Sequence, residues 1–137
     1  MTRMELAPGD VLIRKGNPSA DIFFVESGRL SVLITSASAS ASASGSGLRV
    51  RSLGSGAVVG EMAHILDLPR STEVLAATAS VVHRLDEQAI GEILDGDPVL
   101  SALLYKVLAH ALALKVLKAN VLIGDMRAPR AAPRAIR

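Results

Sequence analysis

The chain holds 137 residues, half of them hydrophobic, with 2% aromatic residues, no cysteine and a formal net charge of +2. That is enough for one domain with a sizeable core, and it excludes a disordered chain, disulfides and thiolate metal sites. Phe23, Phe24 and Tyr105 are its aromatic side chains, too few for a platform that stacks single-stranded nucleic acid. The positive charge belongs to the end of the chain. From Asp125 onward Arg127, Arg130, Arg134 and Arg137 face one acid, which leaves 11 of the 15 bases and 12 of the 13 acids in the body. The body is near neutral and carries no nucleic-acid footprint.

In chain order, Leu6 ends a short first strand, Pro8-Gly9-Asp10 makes a turn, and Val11-Leu12-Ile13 forms a second strand. The N-terminus turns acidic and Pro-Gly at once, unlike a secretory signal, so a cytoplasmic location is expected. Gly16-Asn17-Pro18-Ser19 turns into a third strand from Ile22 to Glu26, apolar on both faces near Phe23 and Phe24. Ser27-Gly28 turns into a fourth, Leu30–Ile34, rich in branched residues. Ser36 to Gly47 is a Ser-Ala repeat ending Gly-Ser-Gly and offers nothing large to bury, so it is expected as a disordered hairpin connector. Leu48 to Leu53 alternates and reads as a half-exposed strand. Short strands with repeated glycine turns indicate an antiparallel sandwich or roll.

The stretch from Val59 to Thr72 organises the rest. It reads as a short strand, a glycine, one or two turns of helix, a proline, and an arginine entering another strand. A helix N-terminus presents free N–H groups and partial positive charge to an anion. Gly60 lets the backbone come close to a ligand, and Arg70 adds a planar, permanently charged fork for phosphate oxygens. Glu61 repels a phosphate, so its place here makes sense if it accepts hydrogen bonds from a neutral part of the same ligand, such as a sugar hydroxyl.

Beyond Thr72, Glu73–Ala77 and Ser80–Leu85 are the last two strands. Asp86 caps a helix with Glu87 in its first turn, Asp95-Gly96 ends it, and Asp97 caps the next with Pro98 at its first position. The long helix from Pro98 to about Ile123 carries Leu100, Leu103, Leu104, Val107, Leu108, Ala111, Leu114, Leu117 and Val121 as an apolar stripe. Lys106, Lys115 and Lys118 mark its wet side; with His110 they cut the run below a membrane span, so no membrane insertion is expected. Gly124 is expected to stop it, leaving a disordered Arg/Pro tail over 125–137.

Gly60-Glu61-Met62-Ala63 followed by Pro69-Arg70-Ser71 resembles the phosphate-binding cassette of the cyclic nucleotide-binding domain family, the effector-domain type of catabolite activator proteins. Leu6 to Ile13 is similar to that family's opening strand pair and Asp21 to Leu30 to its next hairpin; the likeness runs from about Glu5 to Ile123. It implies a mostly β fold, an antiparallel β-roll or double-stranded β-helix of the jelly-roll type, with a short internal cassette helix and two C-terminal helices. It places the domain at 1–124, with 36–47 as a loop. It implies that Arg70 pairs with a cyclic phosphate, that Ser71 and the amides near Met62 and Ala63 complete the cradle beside Gly60, and that Glu61 binds the ribose hydroxyl. Thr72 and Glu73 stand where the family commonly has small residues; Thr72, counted with the ligand-binding residues, adds a hydroxyl that either helps or crowds the site, and Glu73 lies near the base side of the pocket or in solvent.

The expected function is a regulatory domain that binds cAMP or cGMP, with no bound cofactor, and moves its C-terminal helix as a lid. The long helix is also a candidate homodimer seam. The chain looks most like the cytoplasmic domains attached to bacterial sulphate-permease-type transporters, so a larger transporter or effector is an expected partner. It leaves no room after the long helix for a helix-turn-helix, and the family's leading helices are largely missing before Met4; both features point to a part of a regulator. No nucleophile-elbow, Walker or zinc motif is present, and His64, His83 and His110 lack metal-ligand spacing; neither catalysis nor a metal site is expected. The alternative function is a ligand-free scaffold or dimerisation module that kept the roll, favoured by the apolar long helix and by Glu73.

Overall fold

A computed structural model describes residues 1–35 and 48–125. The Ser-Ala connector and the tail beyond 125 fall outside the described residues. The strands are β1 (Thr2–Leu6), β2 (Val11–Ile13), β3 (Ile22–Ser27), β4 (Leu30–Thr35), β5 (Leu48–Leu53), β6 (Val58–Val59), β7 (Glu73–Ala76) and β8 (Ser80–Leu85). The helices are α1 (Glu61–Leu66), α2 (Glu87–Gly96) and α3 (Pro98–Asp125). Every strand and helix read from the sequence is present, and the fold is the antiparallel β-roll with an internal cassette helix and two helices after it.

The strands form two four-stranded antiparallel sheets, ordered β1-β8-β3-β6 and β2-β7-β4-β5. Strand alternation explains how one of them serves two cores. In β3, Phe23 and Val25 point into the cluster between the sheets, with Leu30, Val74, Ala76 and Val82. Their neighbours Ile22 and Phe24 point the other way, into a second cluster with Val58, Leu85 and the helical residues Ile90, Leu104 and Leu108. The reading of this strand as apolar on both faces thus has a physical cause: one face meets the opposite sheet and the other meets α2 and α3.

Glycine matters most where two segments touch. Gly28 sits at φ 90°, and a Cβ there would lie 2.3 Å from Ser80 Oγ. That close approach lets Ser80 and Arg29 share hydrogen bonds across the turn. The helical caps follow the sequence: Asp86 Oδ1 accepts from Ala89 N at 2.8 Å and Asp97 Oδ1 accepts from Leu100 N at 3.0 Å, each satisfying an orphan first-turn donor.

Three expectations about the helices need correction. α3 does not stop at Gly124 but runs to Asp125. Its docked face is not the broad stripe: Leu100, Leu103, Val107, Leu114 and Leu117 are exposed, while Leu104 and Leu108 are buried and Ala111 packs beside them. The helix is apolar almost all round, so the pattern picks no single face. For the same reason Pro98–Ala119 is long and apolar enough to cross a membrane by length and composition, against the expectation that its lysines rule this out.

Candidate functional site

The site is built by a tight excursion between β6 and β7. Gly60 stands before α1 at φ 90°, ψ 2°, a left-handed conformation that glycine takes without strain. The six-residue helix ends on Asp67, also left-handed at φ 53°, and Leu68-Pro69 brings the chain back. Arg70 is then pinned through its backbone to the turn before β3: its N–H donates to Asn17 O at 2.9 Å and its carbonyl accepts from Gly16 N at 2.8 Å.

The Arg70 side chain folds inward and is 5% exposed. Nη1 donates to Gly60 O at 2.8 Å and Nη2 donates to Asp21 O at 2.6 Å. Burial pushes the guanidinium pKa down from its ordinary value, and the charges of Asp21, Glu87 and Glu61 act against that; an arginine stays charged regardless. Gly60 turns out to serve this side chain. A Cβ there would lie 2.6 Å from Arg70 Nη1 and 2.8 Å from Asp21 O. The close approach expected of a ligand at Gly60 is made here by the guanidinium.

Glu61 opens α1 and is 0% exposed. Its Oε1 accepts a hydrogen bond from Lys115 Nζ of α3, an ion pair that joins residues 54 apart in sequence. Its Oε2 is buried without a hydrogen-bond partner, which in a native site calls for an explanation. Lys115 was read as wet; its side chain is 22% exposed and faces the cassette. No periodicity marks it, because Lys106, Lys115 and Lys118 look alike until the docked face of α3 is known.

Glu61, Arg70 and Lys115 line one cavity of about 420 Å³ at the mouth of the roll. Gly60, Met62, Ala63, Ser71 and Thr72 line it too, so all seven residues singled out as a site come together. Glu73 is not on its wall. Arg51 of β5 is, a basic residue that sequence reasoning left as part of a half-exposed strand. The cavity thus carries Arg51, Arg70 and Lys115 against Glu61, a cationic surplus over largely apolar walls such as Val32, Leu53 and Val74. Its chemistry suits an anion that also brings a neutral donor and an apolar body. The histidines stand apart: His64 on α1, His83 beside Glu26 at 3.2 Å, and His110 exposed on α3.

The sequence pattern described as "Cyclic nucleotide-binding domain" matches residues 3–97. This chain belongs to the cyclic nucleotide-binding domain family. The domain's match ends just before α3, so Lys115 lies outside it. Among relatives, the Acetyltransferase Pat of Mycolicibacterium smegmatis is 34% identical over 91 residues, covering 66% of this chain and 25% of its own length. The cAMP-dependent protein kinase regulatory subunit of Blastocladiella emersonii is 30% identical over 94 residues, covering 69% of this chain and 22% of its own length. The chain therefore spans about a quarter of the curated relatives it matches. In fold it is similar to a cyclic nucleotide-binding domain from Methylobacillus flagellatus, with a TM-score of 0.79 at 19% identity, covering 95% of this chain and 70% of that one.

Proposed function

We propose that this chain is a cytoplasmic regulatory domain, spanning residues 1–124, that binds a cyclic mononucleotide, cAMP before cGMP, and has no catalysis of its own. The observation that carries the reading is Glu61: a carboxylate shut away from water, with Oε2 unpartnered, on the same cavity wall as the Arg70 guanidinium. A ribose hydroxyl supplies the missing donor. The cyclic phosphate takes the remaining N–H groups of Arg70, with Ser71, Thr72 and the amides of Met62 and Ala63 around it, and the base lies along the apolar wall. The cAMP-dependent relative supports the choice of adenine.

The output is a change in α3, which leaves its ligand-free seat on Glu61 and settles over the bound base once the phosphate draws the cassette inward. Two positions of one helix that the ligand binds unequally are sufficient for signalling. The domain acts on a partner or on a larger protein, for which a sulphate-permease-type transporter or an enzyme is a suitable effector. A second reading has its own support: Leu103, Tyr105, Leu114, Val116 and Leu117 leave α3 apolar and exposed, as expected of a dimer seam or of a scaffold without ligand.

Ligand-dependent melting separates these readings. Nucleotide at about 100 times its dissociation constant adds about 2.7 kcal/mol, several degrees in a domain of this size. At equal concentrations of each, a shift with cAMP, a smaller one with cGMP and none with a cyclic dinucleotide is the expected outcome. No shift with any of them leaves the scaffold.

A further inference from the structure

We propose that Lys115 is a latch: in the ligand-free protein it holds the distal half of α3 on the cassette through its ion pair with Glu61, and a ligand entering the cavity that Lys115 itself lines competes with that contact. The competition part rests on the nucleotide reading above; the latch itself does not.

Leu104, Leu108, Ala111 and Lys115 are four and three residues apart and share one face of α3. The first three sit on the second apolar cluster, against Ile22, Leu85 and Ile90. Lys115 is the next step along that face and continues it with an ion pair to Glu61. Beyond it Val116 and Leu117 are exposed. The seat of α3 is thus apolar in its first half, where no small ligand competes, and ionic at the cavity, where one does.

The energetics agree. Glu61 is buried, so its carboxylate needs a counter-charge in place, and Lys115 supplies one from a different element. A hydroxyl donor arriving at Glu61 and an anion arriving at Arg70 change that need: the carboxylate gains a second donor, and the ammonium gains a choice of anions. Ligand occupancy and the Lys115–Glu61 contact are therefore linked, and binding is opposed by whatever fraction of molecules is latched.

The test uses the full chain with Lys115→Met, which keeps the stem and removes the charge, and Lys115→Arg, which keeps the charge. Amide hydrogen exchange over 112–119 and titration with cAMP and cGMP are the readouts, and exchange in β3 and β8 reports that the roll is intact. Without ligand, K115M exchanges faster over 112–119 than the parent, K115R stays close to the parent, and Glu61→Gln matches K115M with no further gain in the double variant. With saturating cAMP the parent and K115M become indistinguishable there. K115M binds cAMP about tenfold more tightly, the gain when a competent state goes from about a tenth populated to fully populated. Equal exchange in the ligand-free parent and K115M, or weaker cAMP binding by K115M, overturns the proposal. A parent that binds neither nucleotide removes the proposed function and the competition, while the ligand-free exchange still decides the latch.

Discussion

The two cations that flank Glu61 are held on opposite terms. Arg70 is fixed by backbone on every side: its own N–H and carbonyl bond the turn before β3, and its guanidinium bonds the carbonyls of Gly60 and Asp21. Lys115 arrives on a helix whose buried contacts lie in its first half, and it is tied to the cassette through one carboxylate. The difference separates recognition from response. A group anchored to several carbonyls keeps its position whether or not the cavity is filled, whereas a group on one ion pair can change partners.

Four substitutions break or sharpen that contrast. Leu108→Ala removes a side chain that is 1% exposed from under α3. It is expected to cost about 2–5 kcal/mol in denaturant unfolding and to loosen α3 before the sheets. A uniform loss of protection in sheets and helix together would show that α3 is not a separate unit. Arg70→Ala removes charge-assisted bonds and is expected to weaken cAMP binding by about 1.5–3 kcal/mol, measured by calorimetric titration. Unchanged affinity would remove Arg70 from the site.

Gly60→Ala places a methyl group at φ 90° against Arg70 Nη1. Backbone strain of about 1–3 kcal/mol is expected, together with a displaced guanidinium, so melting temperature and cAMP affinity fall together. The smallest effect is set by a residue remote from the cavity. Asp86→Ala deletes the α2 cap at about 1 kcal/mol of stability and leaves cAMP affinity unchanged; a change in affinity there would mean that α2 takes part in the response.

Most of the roll was legible because its signals are local. Glycine turns and two-residue alternation place the strands, and Asp86 and Asp97 announce the helices that follow them. Glu61 and Arg70 were legible because their chemistry is unusual side by side and their spacing is short. Lys115 was not. A helix that is apolar on nearly every side gives no moment to read, and its partner lies 54 residues earlier, so only packing decides which lysine turns inward. Gly60 was half legible: its lack of a side chain announced crowding, but the crowding group stands ten residues later and its direction is a matter of tertiary structure. Arg51 was hidden by its clean alternation, which looks the same whether a strand's open face meets water or a cavity.

The shared face of Leu104, Leu108, Ala111 and Lys115 makes α3 a ruler as well as a seat. Each residue added to an α-helix turns everything after it by about 100°. Inserting or deleting one residue between Ala111 and Lys115 would swing the ammonium about 100° off the seated face while leaving the hydrophobic footing untouched. Changes downstream of Lys115 carry no such phase penalty. The short interval between Ala111 and Lys115 is therefore where length is counted.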